Sequence, residues 1–208
     1  MKKMIKKMKN AFLFFPLFAI FLFLPSSFAH EMAELPVLQV GKDFNAQSSL
    51  GKSVKLSDFQ GKAVLLYFGY SHCPHICPLM TSNLAKALQE LGTKAQKVQV
   101  IMVSVDPKRD SPKVLQSFLN NFHKGMIGIT DEKQLPKIAA DFKVTYGPAS
   151  EMKADQGKSP HGGMKMGAQD FFHSNLIFVM DQKNQVRKLL DETTKPLEIV
   201  EALGQLGI

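Results

Sequence analysis

Leu65–Leu88 reads LLYFGYSHCPHICPLMTSNLAKAL, and it contains both cysteines of the 208-residue chain, Cys73 and Cys77. Ala63 to Tyr70 is continuously apolar and aromatic, the pattern of a strand covered on both faces of a sheet. From about Pro78 to Leu91 the spacing turns helical, with Leu84, Leu88 and Leu91 on one stripe and Gly92 as the stop. The cysteine pair thus sits at a strand-to-helix seam, the end of a sheet where open α/β folds place their chemistry.

The pattern alternates on either side. Val54 to Leu56, after the turn-like SSLGK, is the second arm of a hairpin. Val98 to Val105 is another central strand, ended by Asp106-Pro107, and Asp110-Ser111-Pro112 opens a helix with cap residues and an early proline. Strand Gly125 to Ile129, helix Glu132 to Phe142 and strand Val144 to Tyr146 follow. Phe172 to Met180 and Gln185 to Leu190 flank the turn DQKN as an antiparallel hairpin, and Pro196 to Leu206 closes as a helix. This order predicts a thioredoxin-like α/β sandwich over residues 35–208. Its central sheet is mainly parallel, with a C-terminal antiparallel hairpin and an added N-terminal β-hairpin. Pro148 to Asp170 lacks periodicity and reads as a mobile surface insertion. Phe118, Phe122 and Phe142 fall at helical core positions.

Residues 1–9 carry five lysines and no acid, and Ala11 to Leu24 is unbroken apolar sequence followed by PSSFA. Residues 1–29 therefore read as a signal peptide cut after Ala29 or as a retained membrane anchor, and no cysteine lies near the cut to take a lipid. Either way the domain is expected outside the cytoplasm, periplasmic or held at the inner membrane through residues 11–29. The net charge of +8 falls to +3 once those five lysines are set aside. That mild surplus, without a basic helix face, speaks against nucleic-acid binding.

Two cysteines in an exported protein are most often a structural disulfide. Here the spacing is C-x-x-x-C at a helix start. Once helical, residues i and i+4 share a face, and the helix N-terminus favours thiolate, the form that binds metal and attacks disulfides. The strand opposite lacks the proline of thioredoxin-type exchangers, and YFGYSHCP lacks the proline and threonine of peroxidases on this fold. His173 falls where the sheet brings it beside the Cys loop. Two thiolates and an imidazole suit Cu(I), and also Cu(II), better than zinc, which favours a closed four-ligand shell that His72 or His75 would have to complete. Asp106 reads as a strand end and turn cap, Arg109 as a solvated charge, and His30 and His123 as surface residues. His161, Met164 and Met166 form a soft-donor loop that could touch copper during transfer.

The blocks YFGYSHCPHICP (Tyr67–Pro78), VSVDPKRDSP (Val103–Pro112) and FFHSNLIFVMD (Phe171–Asp181) resemble those of the SCO/SenC family, in its order and spacing. These are copper-binding thioredoxin-fold proteins of cytochrome c oxidase assembly, and the resemblance extends from about Lys42 to Leu203. It implies Cys73, Cys77 and His173 as copper ligands. It also implies a metallochaperone that delivers copper to the dinuclear copper centre of an oxidase subunit, or to another copper carrier. The alternatives are a thiol-disulfide reductase of the oxidase cysteines, using Cys73 and Cys77, and a copper or redox sensor. The chain departs from the family pattern at His75, where an acidic residue is usual, and at Asn175, where a serine is usual.

Overall fold

The computed structural model describes residues 35–151 and 170–208. Segment 1–29, His30 and the loop residues His161, Met164 and Met166 lie outside the described residues. Strands β1 (Asn45–Gln47) and β2 (Ser53–Lys55) form the expected N-terminal hairpin, with Ala46 opposite Val54. A five-stranded sheet is built from β3 (Ala63–Gly69), β4 (Val98–Ser104), β5 (Ile127–Ile129), β8 (Leu176–Met180) and β9 (Val186–Asp191), in the order β5-β4-β3-β8-β9. β3, β4 and β5 pair in parallel, and β8 is antiparallel to both β3 and β9. Four strands thus share one direction, as the alternation of strands and helices requires.

Every residue of β3 and β4 is buried. β3 joins two layers: Tyr67 reaches Thr81 of helix α1 (Ile76–Leu91), its hydroxyl 2.8 Å from Thr81 Oγ1, while the next residue, Phe68, sits edge-on to Phe142, with ring centroids 6.0 Å apart. Alternation along a strand sends such neighbours to opposite faces. Full burial of each large apolar side chain contributes about 1.5–3 kcal/mol, so this strand anchors whatever is attached to its end. Phe142 is in the core, as expected, but Phe118 and Phe122 are only partly buried and pack against its edge and each other, 5.2 Å between centroids.

The helices start where their first-turn N–H groups find acceptors. Helix α2 (Pro112–Asn120) is capped by Ser111, whose side chain accepts from the Val114 amide. Helix α3 (Leu135–Asp141) begins three residues later than the sequence pattern predicts, because Asp131 Oδ1 takes the amides of Lys133 and Gln134 in a turn before it. Helix α4 (Pro196–Gly204) starts on proline.

The expected strand Phe172 to Met180 is interrupted. Its first part, β7 (Phe171–His173), leaves the central sheet and pairs with β6 (Tyr146–Pro148) as a separate two-stranded ribbon, Tyr146 opposite His173. Ser174 explains the break: its amide donates to the Thr145 carbonyl (3.0 Å) and its hydroxyl accepts from the Thr145 amide (3.2 Å). The backbone is therefore satisfied away from β3 until Leu176 joins β8.

Candidate metal centre

β3 is in register with β8 so that Tyr67 lies opposite Ile177. The residues before β8 therefore run past the carboxyl end of β3, where the chain turns into the Cys loop. This brings together two segments almost a hundred residues apart: His173 Nε2 is 3.5 Å from Cys77 Sγ. All three expected ligands are buried, Cys73 at 8%, Cys77 at 0% and His173 at 1% exposure, and both cysteines are free thiols.

The geometry around Cys73 differs from the expected helical pair. α1 begins at Ile76, so Cys73 lies in the loop before it and is not on a helical face shared with Cys77. What joins the two is capping. No side-chain oxygen caps α1; instead the Cys77 amide, in the first turn, donates to Cys73 Sγ at 3.5 Å. Unpaired N–H groups and the positive end of the helix dipole both favour a thiolate there. The Cys73 thiol is accordingly held far below its ordinary range, chiefly by the hydrogen bond from the Cys77 thiol, with further help from His173 and the amides of Cys77 and His75, against the opposing effect of burial. Cys77 is pushed well up by burial and by the neighbouring Cys73 sulfur. The outer sulfur is thus biased toward thiolate and the inner one toward thiol.

The imidazole is oriented in the same way. His173 Nδ1 lies 3.3 Å from the Ser174 carbonyl, a contact that holds the ring with Nε2 facing Cys77. A metal with bonds of about 2.0–2.3 Å to nitrogen and sulfur at trigonal or tetrahedral angles sets those donors about 3.6–3.8 Å apart. The Cys77–His173 spacing is close to that value. Among the described residues no trio of His, Cys, Asp or Glu stands ready-made as a metal site. Cys77 and His173 have ligand-to-ligand spacing, whereas the Cys73 sulfur is occupied in capping the helix.

His72 and His75 do not join the trio. The His72 side chain is half exposed and turns to Ser71 Oγ (2.9 Å) and Asp110 (3.6 Å), and His75 is an exposed residue before α1. Asp106 ends its strand as expected, its carbonyl accepting from the amides of Arg109 and Asp110. Arg109 is not the simple solvated charge expected: its Nε donates to Asp106 and its guanidinium lies over two aromatic rings. His123 accepts from the Gly125 amide in a local turn.

Three residues that build the site went unread. Gly69 is one: a Cβ there would stand 2.9 Å from Cys77 Sγ and 2.9 Å from Met102 Cε, so the inner sulfur occupies the space a side chain would fill. A glycine ending a buried strand was the available signal. Asp110, fully buried, takes the Ser71 amide (3.1 Å), the Ser71 hydroxyl and the Ser104 hydroxyl (2.6 Å), which ties the Cys loop to β4. Tyr70, also buried, accepts from the Phe171 amide (3.3 Å) and sets its ring edge-on to Phe171 and His173.

Comparison with known proteins places this fold. Structures with the same fold include ScoI of Bradyrhizobium japonicum, solved with copper bound (TM-score 0.67, 26% identity, 80% of this chain and 99% of that one). Yeast Sco1 with copper bound is similar (TM-score 0.67, 25% identity, 81% and 88%). In sequence, an SCO2-like protein of Rickettsia felis is 28% identical over 80% of this chain and 76% of its own length. Mitochondrial SCO2 of Saccharomyces cerevisiae is 36% identical over 56% of this chain, a match spanning only 40% of that relative. The model of the SCO1/SenC family matches residues 33–206, and the chain belongs to that family.

Proposed function

We propose that this chain is an exported copper carrier that binds one copper ion through Cys73, Cys77 and His173 and delivers it to the dinuclear copper centre of a cytochrome c oxidase subunit. One observation carries the reading: a histidine distant in sequence places its Nε2 3.5 Å from a cysteine sulfur. A second sulfur is already disposed to thiolate four residues away. Two thiolates and an imidazole are a soft donor set that accepts Cu(I) and, with the imidazole, Cu(II). Relatives solved with copper bound support the choice of metal. Residues 1–29 take the domain, residues 35–208, out of the cytoplasm as a signal or an anchor.

The chain's own groups set the order of events. The Cys73 thiolate meets the incoming ion first. Cys77 must lose its proton to follow, and His173, held by Ser174, completes a three-coordinate site. An acceptor thiolate can attack such a site without unfolding the carrier. The test is X-ray absorption of the copper-loaded, anaerobically reduced chain. Two sulfurs and one nitrogen per copper are expected, with the nitrogen lost and affinity lowered in His173→Ala. A sulfur-only spectrum in the wild type would remove His173 from the ligand set.

The difference between the two sulfurs favours a second reading. The outer one is the thiolate and the inner one the thiol, the arrangement of a dithiol reductant. In that case Cys73 attacks a substrate disulfide, one substrate thiolate leaves, and Cys77 gives up its proton to displace the second. The products are a reduced substrate and a Cys73–Cys77 disulfide. His173→Ala separates the readings, because dithiol exchange survives it whereas copper loses its nitrogen ligand and binds more weakly.

A further inference from the structure

Two parts of the chain meet at the proposed copper site, and few links fasten one to the other. The cysteines hang from β3 and α1 within the main layer of the fold. His173 lies on the β6–β7 ribbon, which is not part of the central sheet. Close to the site His173 Nε2 stands 3.5 Å from Cys77 Sγ, and a further set of links between the two runs through Tyr70. Its carbonyl takes the Cys73 amide (3.2 Å), and its hydroxyl takes the Phe171 amide (3.3 Å). Its ring stands edge-on to Phe171, 5.9 Å between centroids, and to His173, 6.2 Å with planes 88° apart. Arg109 lies over this joint, its guanidinium carbon 5.8 Å from the Tyr70 ring centre and 5.9 Å from that of Phe171. Both distances fall within cation–π range. The arginine is aimed from behind by the buried Asp106, which accepts from Nε, and the β4–α2 turn that carries both is closed by the Asp106 carbonyl.

We propose that Arg109 is a positioning residue for metal binding: by clamping the Tyr70 and Phe171 rings together it holds the His173 ribbon against the cysteine loop. This rests on the copper reading above for its consequence, but the clamp itself is a property of the metal-free fold. A planar guanidinium covers two ring faces at once while its Nε remains bonded to a carboxylate, which an ammonium on a flexible stem does not reproduce. The sulfurs do not depend on the clamp, because the α1 amide and Asp110 hold them separately. Arg109 therefore acts on the nitrogen ligand alone.

The test uses the full chain with Arg109→Gln and Arg109→Lys. In the metal-free state, amide hydrogen exchange is followed in Phe171–Asn175 against β3 and β4 as internal references. Loss of the clamp raises exchange in the ribbon by about tenfold, with β3, β4 and the melting temperature unchanged. In the copper-loaded state, release to a chelator speeds up by about tenfold, and the nitrogen contribution to the absorption spectrum weakens while both sulfurs stay. Arg109→Lys resembles Arg109→Gln rather than the wild type. Unchanged ribbon exchange, faster exchange throughout the domain, or full rescue by lysine would each overturn the proposal. If wild-type copper shows no nitrogen ligand, the copper reading fails and the clamp is decided by the metal-free exchange alone.

Discussion

The two sides of the candidate site are built differently. The sulfur side is integral to the fold. Cys77 is fully buried in the first turn of α1, seated over Gly69 at the end of a strand buried throughout, and the Cys73 loop is tied down by the buried Asp110. The imidazole side is attached to the fold. β7 pairs only with β6, three residues to three, and reaches the rest of the site through Tyr70 and Arg109. Local opening is cheapest where few buried contacts and short ladders hold an element. On the proposed copper reading, this division of labour would let the sulfurs keep their place while the nitrogen ligand leaves first.

The largest expected effect comes from attacking the sulfur side at its seat. Gly69→Ala puts a methyl group 2.9 Å from both Cys77 Sγ and Met102 Cε, closer than atoms pack, so the Cys77 sulfur and the Met102 side-chain tip must shift. A loss of about 1–3 kcal/mol in unfolding free energy is expected from such overpacking. Copper binding should fall with it, since Cys77 can no longer keep 3.5 Å from His173. Denaturant melts and a chelator competition check this, and ribbon exchange should stay at its wild-type rate. If the ribbon loosens as well, the two sides are coupled more tightly than the contacts imply.

Next in size is Asp110→Asn. The carboxylate accepts from three donors on Ser71 and Ser104, and an amide offers one oxygen in place of two. Leaving a buried donor short costs about 1–2 kcal/mol. The effect should appear as faster exchange of the Ser71 and Cys73 amides and higher reactivity of Cys73 toward a thiol reagent. Faster exchange confined to β7 would contradict it.

How much of this could be read beforehand follows from how local each cause is. Central strands declare themselves because burial on both faces leaves a near-continuous apolar run, as in Ala63–Gly69 and, with Gln99 and Ser104 as the polar positions, Val98–Ser104. α2 declares itself because its cap is a serine next to a proline. The two cysteines and His173 stand out as the residue types that bind soft metals. What escaped was decided by partners far along the chain. The break after His173 depends on Ser174 meeting Thr145, the start of α1 on a sulfur serving as its cap, and Arg109's role on two rings from different blocks. Asp110 looked like a helix-opening residue because it precedes the Ser111 cap, and only the tertiary fold brings Ser71 to it. Such pairings leave no periodic trace.

A smaller change tests the joint between the two sides. Tyr70→Phe keeps the ring that Arg109 and His173 lie against and deletes the hydroxyl that takes the Phe171 amide. The cost should be about 0.5–1.5 kcal/mol, the net value of one hydrogen bond. Exchange of the Phe171 amide itself should rise well before that of His173. Equal increases at both positions would mean that the ribbon opens as one unit.

The smallest effect concerns the base of the ribbon and depends on pH. Asp141 ends α3, just before the chain turns through Lys143 into β6, and its carboxylate meets Lys137 (2.7 Å) and Lys42 (3.3 Å). The hydrogen bond from Lys137 is the main cause of its lowered pKa, with Lys42 adding to it. A carboxyl whose folded pKa lies below the unfolded value stabilises the fold at pH above the unfolded value, near 3.8, and that contribution fades as pH falls through the lower folded value. Between pH 7 and pH 5 the ribbon should therefore be indifferent to acid at this residue. Below about pH 4 the Asp141 contribution begins to fade, and it is lost as pH falls through the lower folded value, whereas Asp141→Asn lacks it at every pH. Because the pair is at the surface, its share of the melting temperature should not exceed about 1–2 °C and should shrink in high salt. Wild type and Asp141→Asn melted side by side at pH 7 and pH 3, in low and high salt, give the comparison. The difference should be present at pH 7 in low salt and smaller at pH 3, and the reverse order would mean that Asp141 is held by something other than its two lysines.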